Sequence, residues 1–339
     1  MSAISVCLLA HNNGRYIPSA IESVLAQSLC DWEMLISDDA SSDNTEEIVR
    51  PYLSDRRIRY VRHRDNLKQG ANWGFAISRT TAPLVATLHA DDVWEAYALQ
   101  SYVSAFSETL DVDLVWGNWL RTNENLQPMV YQIPPNVDNT FTGHNALRYL
   151  FKTNRILPSG AAFRRQAAAQ VGLPNSRYGM FCDREWFLRL ARVSRLARTL
   201  SLSMVKYRVH QASVTTEFQT SGKFVDELDD FNRNIPELLS VLEDKDSLIF
   251  NHNRNIAEAY LRTAVTFRIA GRNSEAKKRM AQAIAASAGI LLRPNIFLKF
   301  LLFHGGGLGN WILGVTHGKN RYVTRIHRSR PQVQNPGQG

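Results

Sequence analysis

The sequence predicts an α/β protein with a mostly parallel central sheet, helices on both faces and a helical region at its C-terminal end. Three observations carry this. Short apolar runs alternate with stretches of helical period from Ile4 to Leu88. Acid-rich clusters close two of those runs, at Asp38-Asp39 and Asp91-Asp92. Beyond Gly222 the pattern is helical throughout.

The elements follow in order. Ile4–Leu9 is a short apolar run, as a buried strand requires. Tyr16–Ala26 places Ile17, Ile21, Val24 and Leu25 at helical spacing, with Pro18 in the first turn where proline is tolerated. Met34–Ile36 is a second strand ending in Ser37-Asp38-Asp39. Asp43, with Glu46 three residues on, has the form of a capping box for a helix to about Tyr52. Ile58–Val61 reads as a strand, Ala71–Ile77 as a helix and Leu84–Leu88 as a strand ending at Asp91-Asp92. This spacing specifies βαβ units, hence a parallel sheet covered on both faces. Ligands of such sheets sit beyond the carboxyl ends of the strands, where His11-Asn12-Asn13, Asp38-Asp39 and Asp91-Asp92 all fall.

A helix over Trp94–Phe106 and a strand over Asp113–Gly117 follow. Leu126–Ile133 has the pattern of an edge excursion closed by Pro134-Pro135. Gly160–Phe163 then reads as a strand, Arg165–Val171 and Asp183–Ala191 as helices and Met204–Val209 as a strand. The final helices are expected over roughly 223–242, 246–270 and 274–289.

Charge narrows the function. The chain of 339 residues carries a net charge of +9, but no Asp or Glu follows Glu275, while ten Lys or Arg do. Removing those ten from the total of 40 leaves 30 basic residues against 31 acidic ones in residues 1–275. A nucleic-acid-binding core would carry a basic face of its own, so nucleic acid is not an expected partner. Cys7, Cys30 and Cys182 are scattered without metal-binding spacing, which suits a reducing compartment. No charged segment with a long apolar core precedes Ile4, so no secretory signal is expected. No apolar stretch reaches the roughly 20 residues that span a bilayer.

Three acidic clusters can carry chemistry. Asp39 at a strand end can accept a hydrogen bond from a nucleobase imide N–H, although Asp38–Asp43 also suits a plain helix-capping loop. Asp91 and Asp92 repel each other unless a cation or donors compensate, and hard divalent ions take such oxygen ligands. A helix N-terminus would also accommodate them. Asp183 opens a helix, where capping is the plain alternative, and His210 follows the last strand.

Together these stretches resemble the family 2 glycosyltransferases, which have the GT-A fold. The matching segments are Ile4–Asn12, Ala20–Ser28, Ile36–Thr45, Asn72-Trp73-Gly74, Leu88–Asp92 and Asp183–Leu190, in the family's order. The resemblance covers residues 4 to about 215. It implies an inverting enzyme that moves a sugar from a nucleoside-diphosphate donor, UDP by default, to a hydroxyl of a glycan or lipid-linked acceptor in surface polysaccharide synthesis. It implies Asp39 as the nucleobase contact, Ala10, His11 and Asn12 along the base and ribose pocket, and Asp91 on the ribose. Asp92 is implied as the ligand of a Mg²⁺ or Mn²⁺ ion, with Asp91 and His210 as lesser candidates, and Asp183 as the catalytic base. Lys68 or Arg155 would add positive charge near the diphosphate. The chain departs from the family's common form at His89 and Cys182, where acids are usual, and at Ala10-His11, where Thr-Tyr is commoner.

The expected layout is a catalytic domain over residues 1–220, with its nucleotide-sugar half to about 118 and its acceptor half over 119–220. A helical extension over 221–290, an apolar and basic segment over 291–330 and a disordered tail over 331–339 complete it. Leu291–Phe303, Trp311-Ile312-Leu313 and the arginines up to Arg330 combine apolar residues with cations and no acids. That pattern fits an interfacial helix on an anionic membrane leaflet and equally a helix packed on the body or in a homodimer. Either way the expected location is cytoplasmic, with the inner face of the cell membrane as the surface in the first case. Two other readings share the pattern: a sugar nucleotidyltransferase, and a non-catalytic nucleotide-sugar-binding or scaffold protein. The first should show a Gly-rich basic loop after strand one, which Asn12-Asn13-Gly14-Arg15 does not match. A dehydrogenase is disfavoured because no GxGxxG follows that strand.

Overall fold

The computed structural model describes residues 2–129, 135–211, 213 and 223–287. Two compact units make up the chain, Met1–Lys245 and Asp246–Gly339. The first contains, in order, β1 (Ile4–Ala10), α1 (Ile17–Leu25), β2 (Trp32–Asp38), α2 (Thr45–Val49), β3 (Ile58–Arg62), α3 (Gln69–Ser78), β4 (Leu84–His89) and β5 (Val93–Trp94). It continues with α4 (Ala98–Glu108), β6 (Val112–Thr122), β7 (Asn139–Thr142), α5 (Gly143–Thr153), β8 (Ala161–Arg164), α6 (Arg165–Val171), α7 (Cys182–Val193), β9 (Leu196–Arg208) and α8 (Lys223–Leu238). This last helix, expected in a separate extension after residue 220, belongs to the first unit. The second unit holds α9, which starts at the boundary (Lys245–Ile269), and α10 (Asn273–Ala286).

Among the described residues the strands form one sheet in the order β3-β2-β1-β4-β8-β6-β9-β5, with β7 paired to β9. β1 to β4 are mutually parallel, and β8 runs antiparallel between β4 and β6. β6 and β9 are again parallel, so their carboxyl ends lie on the same edge as those of β1 to β4. The expectation of a mostly parallel sheet holds.

Both faces are covered, as the near-continuous apolar runs require. On one face Ile4, Val6, Leu8 and Ala10 of β1 pack with Ile17, Ile21 and Val24 of α1 and with Leu99, Tyr102 and Phe106 of α4. On the other, Ser37 of β2 bonds Asn72 of α3 at 2.6 Å, and Trp73 Nε1 donates to Thr87 Oγ1 of β4 at 2.9 Å. Trp73 then meets Trp186 of α7 edge-on at 4.9 Å, and Trp186 meets Phe163 of β8 at 4.8 Å. These buried rings make α3, α7 and the sheet one layered core. Such pairs contribute about 0.5–1.5 kcal/mol each beyond the area they bury.

Two local expectations change. The Asp43 carboxylate accepts from Gly14 N, Thr45 N and Thr45 Oγ1, pinning the preceding loop rather than forming a reciprocal box, while Glu46 pairs with Arg62. The helix expected from Trp94 starts four residues later. Val93-Trp94 instead pair with Lys206 and Val205 of β9, and Trp94 Nε1 donates to Ser159 O.

Among the described residues, no helix is long and apolar enough to cross a membrane. The segments 291–330 and 331–339, and residues 130–133 of Leu126–Ile133, lie outside the described residues.

Candidate active site

The carboxyl ends of β1, β2, β3, β4 and β9 converge on one edge, and the sequence-derived candidates follow them there. The β1 end supplies Ala10, His11 and Asn12, the β2 end Asp38 and Asp39, and the loop after β3 supplies Asn66 and Lys68. His89 to Asp92 come from the β4 end and Arg208 to His210 from the β9 end. Left-handed backbone at three non-glycine residues marks this edge: Asn12 (φ 54°), Ala40 (φ 58°) and Lys68 (φ 73°). Such conformations cost about 1–3 kcal/mol each and persist where the surrounding structure enforces them, often at functional sites.

The first part of the site is a hydrogen-bonded loop system. Asp39 is 3% exposed; its backbone N–H donates to Ala10 O at 2.8 Å, and its Oδ1 accepts from Leu67 N at 2.6 Å. His11 Nδ1 lies 2.7 Å from Asp39 O, and Asn66 Nδ2 lies 3.3 Å from His11 Nε2. Asn12 is held by Ser41 and Ser42. Neighbouring Asp38 is wholly internal, its two oxygens accepting from Ser41 and from Tyr60 OH at 2.6 Å. Asp39 is therefore the carboxylate of the pair with an oxygen that takes no hydrogen bond among the described residues. Lys68 is exposed at the mouth of this loop system. No recorded hydrogen bond or ion pair among the described residues ties Arg155 to the site.

The second part is acidic. Asp92 is 1% exposed, and both of its oxygens are engaged: Oδ2 accepts from Ser159 Oγ at 2.6 Å and Oδ1 from Arg208 N at 3.0 Å. Burial, reinforced by the charge of Asp91, pushes its carboxyl well above the ordinary range. Asp91 differs. Its side chain is 23% exposed, and Oδ2 lies 3.1 Å from His210 Nε2. Burial opposes its ionisation, but the His210 hydrogen bond and the fields of His89 and His210 outweigh that and hold it below the usual value. One ligand atom from each of His89, Asp91 and Asp92 can be chosen so that all lie within 4.8 Å of one another, close enough to share a divalent ion. The donor set, which includes the expected ligand Asp92, fits a cation, and Asp91 is the more accessible of its two carboxylates. Asp92 holds Ser159 and β9 with one hydrogen bond on each oxygen, which leaves each a second lone pair.

Sequence reasoning missed the scaffold behind these acids. Arg208, 5% exposed, donates from Nε to Asp91 O at 2.7 Å, from NH1 to Glu124 O at 2.5 Å and from NH2 to Ser19 Oγ at 2.9 Å. Ser159 accepts from His89 N at 3.1 Å while donating to Asp92. The charge of Arg208 gave no signal, because the same strand also carries Arg198 and Lys206; only its place two residues before His210 set it apart.

The third part is the start of α7. Ser176, in the 3₁₀ turn before it, accepts from Ala71 N at 3.0 Å and donates to Leu67 O at 3.1 Å. A Cβ at Gly70 would come within 2.3 Å of Asn175 O, so only glycine lets the two segments meet. The turn leading to Asp183 is thereby fastened to the loop that carries Lys68. Asp183 is partly buried, and its Oδ1 accepts from Arg184 N at 2.6 Å. Burial raises its pKa to about 6, against the lowering effects of that bond and the Arg184 charge. Arg184 is itself pushed down to about 10 by burial. Cys182, in place of an acid, is buried and its thiol is pushed well up, so it adds no charge beside Asp183.

Residues 5–172 match the family model described as Glycosyl transferase family 2. Over 122 residues the chain is 30% identical to the UDP-Glc:alpha-D-GlcNAc-diphosphoundecaprenol beta-1,3-glucosyltransferase WfgD of Escherichia coli, covering 36% of this chain and 47% of that one. The chain spans less than half the length of the first curated relatives it matches, 38%, 47% and 42%. In fold it is similar to S. aureus TarS 1-349, solved in complex with UDP-GlcNAc, with a TM-score of 0.66, 14% identity and coverage of 95% of this chain and 93% of that one. It is also similar to the mannosyltransferase PcManGT from Pyrobaculum calidifontis, solved with GDP-Man and Mn²⁺, with a TM-score of 0.53, 14% identity and coverage of 95% and 88%. The architecture is thus of the GT-A type.

Proposed function

The chain belongs to the family 2 glycosyl transferases through residues 5–172, and on that premise we propose that it is an inverting, cation-assisted enzyme that moves a hexose from a nucleoside-diphosphate sugar to a hydroxyl of a glycan or lipid-linked acceptor. The observation that supports the reading is the strand edge bearing Asp39 and the His89–Asp91–Asp92 group, with His210 at 3.1 Å from Asp91 and the turn before Asp183 tied by Ser176 to the loop that carries Lys68.

Asp39 accepts a base N–H with its remaining oxygen, and His11 and Asn66 bound that pocket. Asp91, with His89, Asp92 and His210 around it, would hold the divalent cation. When bound, the cation acts as a Lewis acid toward the charge that grows on the departing diphosphate. Lys68, exposed beside the same loop, adds a cation there. Asp183 takes the proton of the acceptor hydroxyl as it attacks the anomeric carbon from the face opposite the diphosphate, which inverts the configuration. A carboxyl with a pKa near 6 suits this role: it is ionised near neutral pH yet more basic than an ordinary aspartate.

UDP is the preferred donor, in keeping with the UDP-glucose named for the WfgD relative and the UDP-GlcNAc bound to TarS. A lipid-linked acceptor in polysaccharide synthesis, as that relative's name describes, would bring the enzyme to the inner face of the membrane. The test is a panel of UDP-, dTDP- and GDP-sugars with Mn²⁺. Binding is scored by thermal shift, and the anomeric configuration of any product by NMR. One nucleotide class should raise the unfolding midpoint in an ion-dependent way. A product that retains the donor configuration, or no stabilisation by any member of the panel, would overturn the proposal.

A further inference from the structure

We propose that α8 belongs to the catalytic apparatus: its Glu227 is a positioning residue that fixes the backbone turn from which Asp183 projects. The inference rests on the reading of Asp183 as the base and names what holds that base in place. The 3₁₀ turn Ser176–Phe181 leads directly into α7. Ser176 ties its start to Ala71 N and Leu67 O. Between that tie and Asp183 stands Gly179, with φ 50° and ψ −123°, a conformation that only glycine adopts readily. Such a glycine is a pivot, so fixing Ser176 alone does not fix Asp183.

α8 supplies the second tie. Glu227 Oε2 accepts from Met180 N at 2.7 Å, directly after the pivot. A backbone N–H donating to a carboxylate makes one of the stronger hydrogen bonds in proteins. A Cβ at Gly179 would collide with the same carboxylate, so the glycine also lets Glu227 reach the chain. The next residue, Phe181, stacks on Phe231 of α8, with ring centroids 5.4 Å apart and planes 15° from parallel. On the other side of Asp183, the Arg184 guanidinium lies 5.3 Å from the Phe231 centroid, and Asn234 Nδ2 lies 3.4 Å from Glu185 Oε1. α8 thus grips residues 180, 181, 184 and 185, on both flanks of Asp183. The Asp183 carboxylate itself takes no hydrogen bond from α8 among the described residues and accepts from Arg184 N. Its position is set through the backbone, not through its own oxygens. Leu228, Phe231, Ile235 and Leu238 are buried and keep α8 docked without Glu227. Loss of that carboxylate therefore loosens the turn and leaves the helix in place. A misplacement of about 1 Å at a reacting group can cost ~10²-fold in rate.

The test uses the full chain with Mn²⁺ and UDP-glucose or UDP-GlcNAc, whichever turns over faster, and reads UDP release with water as the acceptor. Calorimetry with UDP and Mn²⁺ gives the affinity of the donor site, and hydrogen exchange gives the protection of the Met180 amide. Glu227→Ala should lower kcat about 10–100-fold, speed exchange at Met180 and leave UDP affinity within about twofold. Glu227→Gln keeps an oxygen acceptor and should recover kcat to within about fivefold of the unmutated enzyme. In an Asp183→Asn background, Glu227→Ala should cost less than about twofold more, because it acts only through the base. A general structural role would cost the same in both backgrounds. Unchanged kcat or unchanged Met180 protection in Glu227→Ala, or a full additional loss in the double variant, would overturn the inference. Turnover of Asp183→Asn at the unmutated rate would remove the base on which the inference rests, which is a different result.

Discussion

Replacing Asp183 with Asn should make the protein markedly less active and measurably more stable. The structure gives Asp183 a pKa of about 6 instead of 3.8, with burial as the largest cause. Each unit of such a shift corresponds to about 1.4 kcal/mol between protonation states, so holding the charged form in the fold costs up to about 3 kcal/mol. The side chain still meets solvent, so a net gain of about 1–3 kcal/mol is expected on removing the charge. The native state retains the proton over a range where the unfolded chain has lost it. Stability therefore falls as pH rises from about 4 to about 6, and the charge penalty is complete above that window. The gain from Asp183→Asn should be absent below pH 4 and full at pH 7.5, since an Asn amide oxygen can still accept from Arg184 N. Activity should move the other way: a missing general base typically costs ~10²–10⁴-fold in kcat, with donor affinity retained. The unmutated enzyme should lose kcat/KM below pH about 6, with a slope of one. The assays are denaturant unfolding across pH and radiolabelled sugar transfer. Turnover near the unmutated rate, or a gain in stability over the unmutated protein no larger at pH 7.5 than at pH 4, would refute the reasoning.

Asp91→Asn should abolish cation-dependent nucleotide binding in calorimetry. Asp92→Ala should chiefly destabilise the fold, by about 1–3 kcal/mol, because Ser159 Oγ and Arg208 N lose their acceptor inside it; a fold as stable as the unmutated one would contradict that role. Arg208→Met should cost about 2–5 kcal/mol in urea unfolding, because Asp91 O and Glu124 O lose their donor inside the fold. Trp186→Ala should cost about 3–5 kcal/mol, measured the same way, because a wholly buried ring between Trp73 and Phe163 is removed. If residues 291–330 bind membrane, the full chain should float with anionic liposomes and a chain ending at residue 290 should not; equal flotation of the two would discard that role.

The parallel half of the fold was legible because β1, β2 and β4 are largely apolar runs closed by polar residues and are buried on both faces. β7 was not: Asn139–Thr142 is polar and pairs on one side only, so it carries no alternating pattern. Val93-Trp94 were read as a helix start because acids before an aromatic resemble a helix N-terminus. Their true partners, Lys206 and Val205, lie more than a hundred residues away. The same limit explains the two neighbouring aspartates. Asp91 and Asp92 look alike in sequence, and only Ser159, Arg208 and His210, which arrive from other elements, make one internal and leave the other accessible. Arg208 shares its strand with Lys206 and Arg198, and its three acceptors, in the turn after β4, on α1 and in the loop after β6, belong to tertiary structure alone.

The most direct measurement of the account is a crystal structure of the chain with a hydrolysis-resistant UDP-sugar and Mn²⁺. The base should lie against Asp39 and His11, the ion should contact Asp91 and His210 together with the diphosphate, and the Asp183 carboxylate should face the anomeric carbon from the side away from the leaving group. A nucleotide bound away from the β1–β4 edge, or an Asp183 carboxylate that cannot reach the sugar, would contradict it.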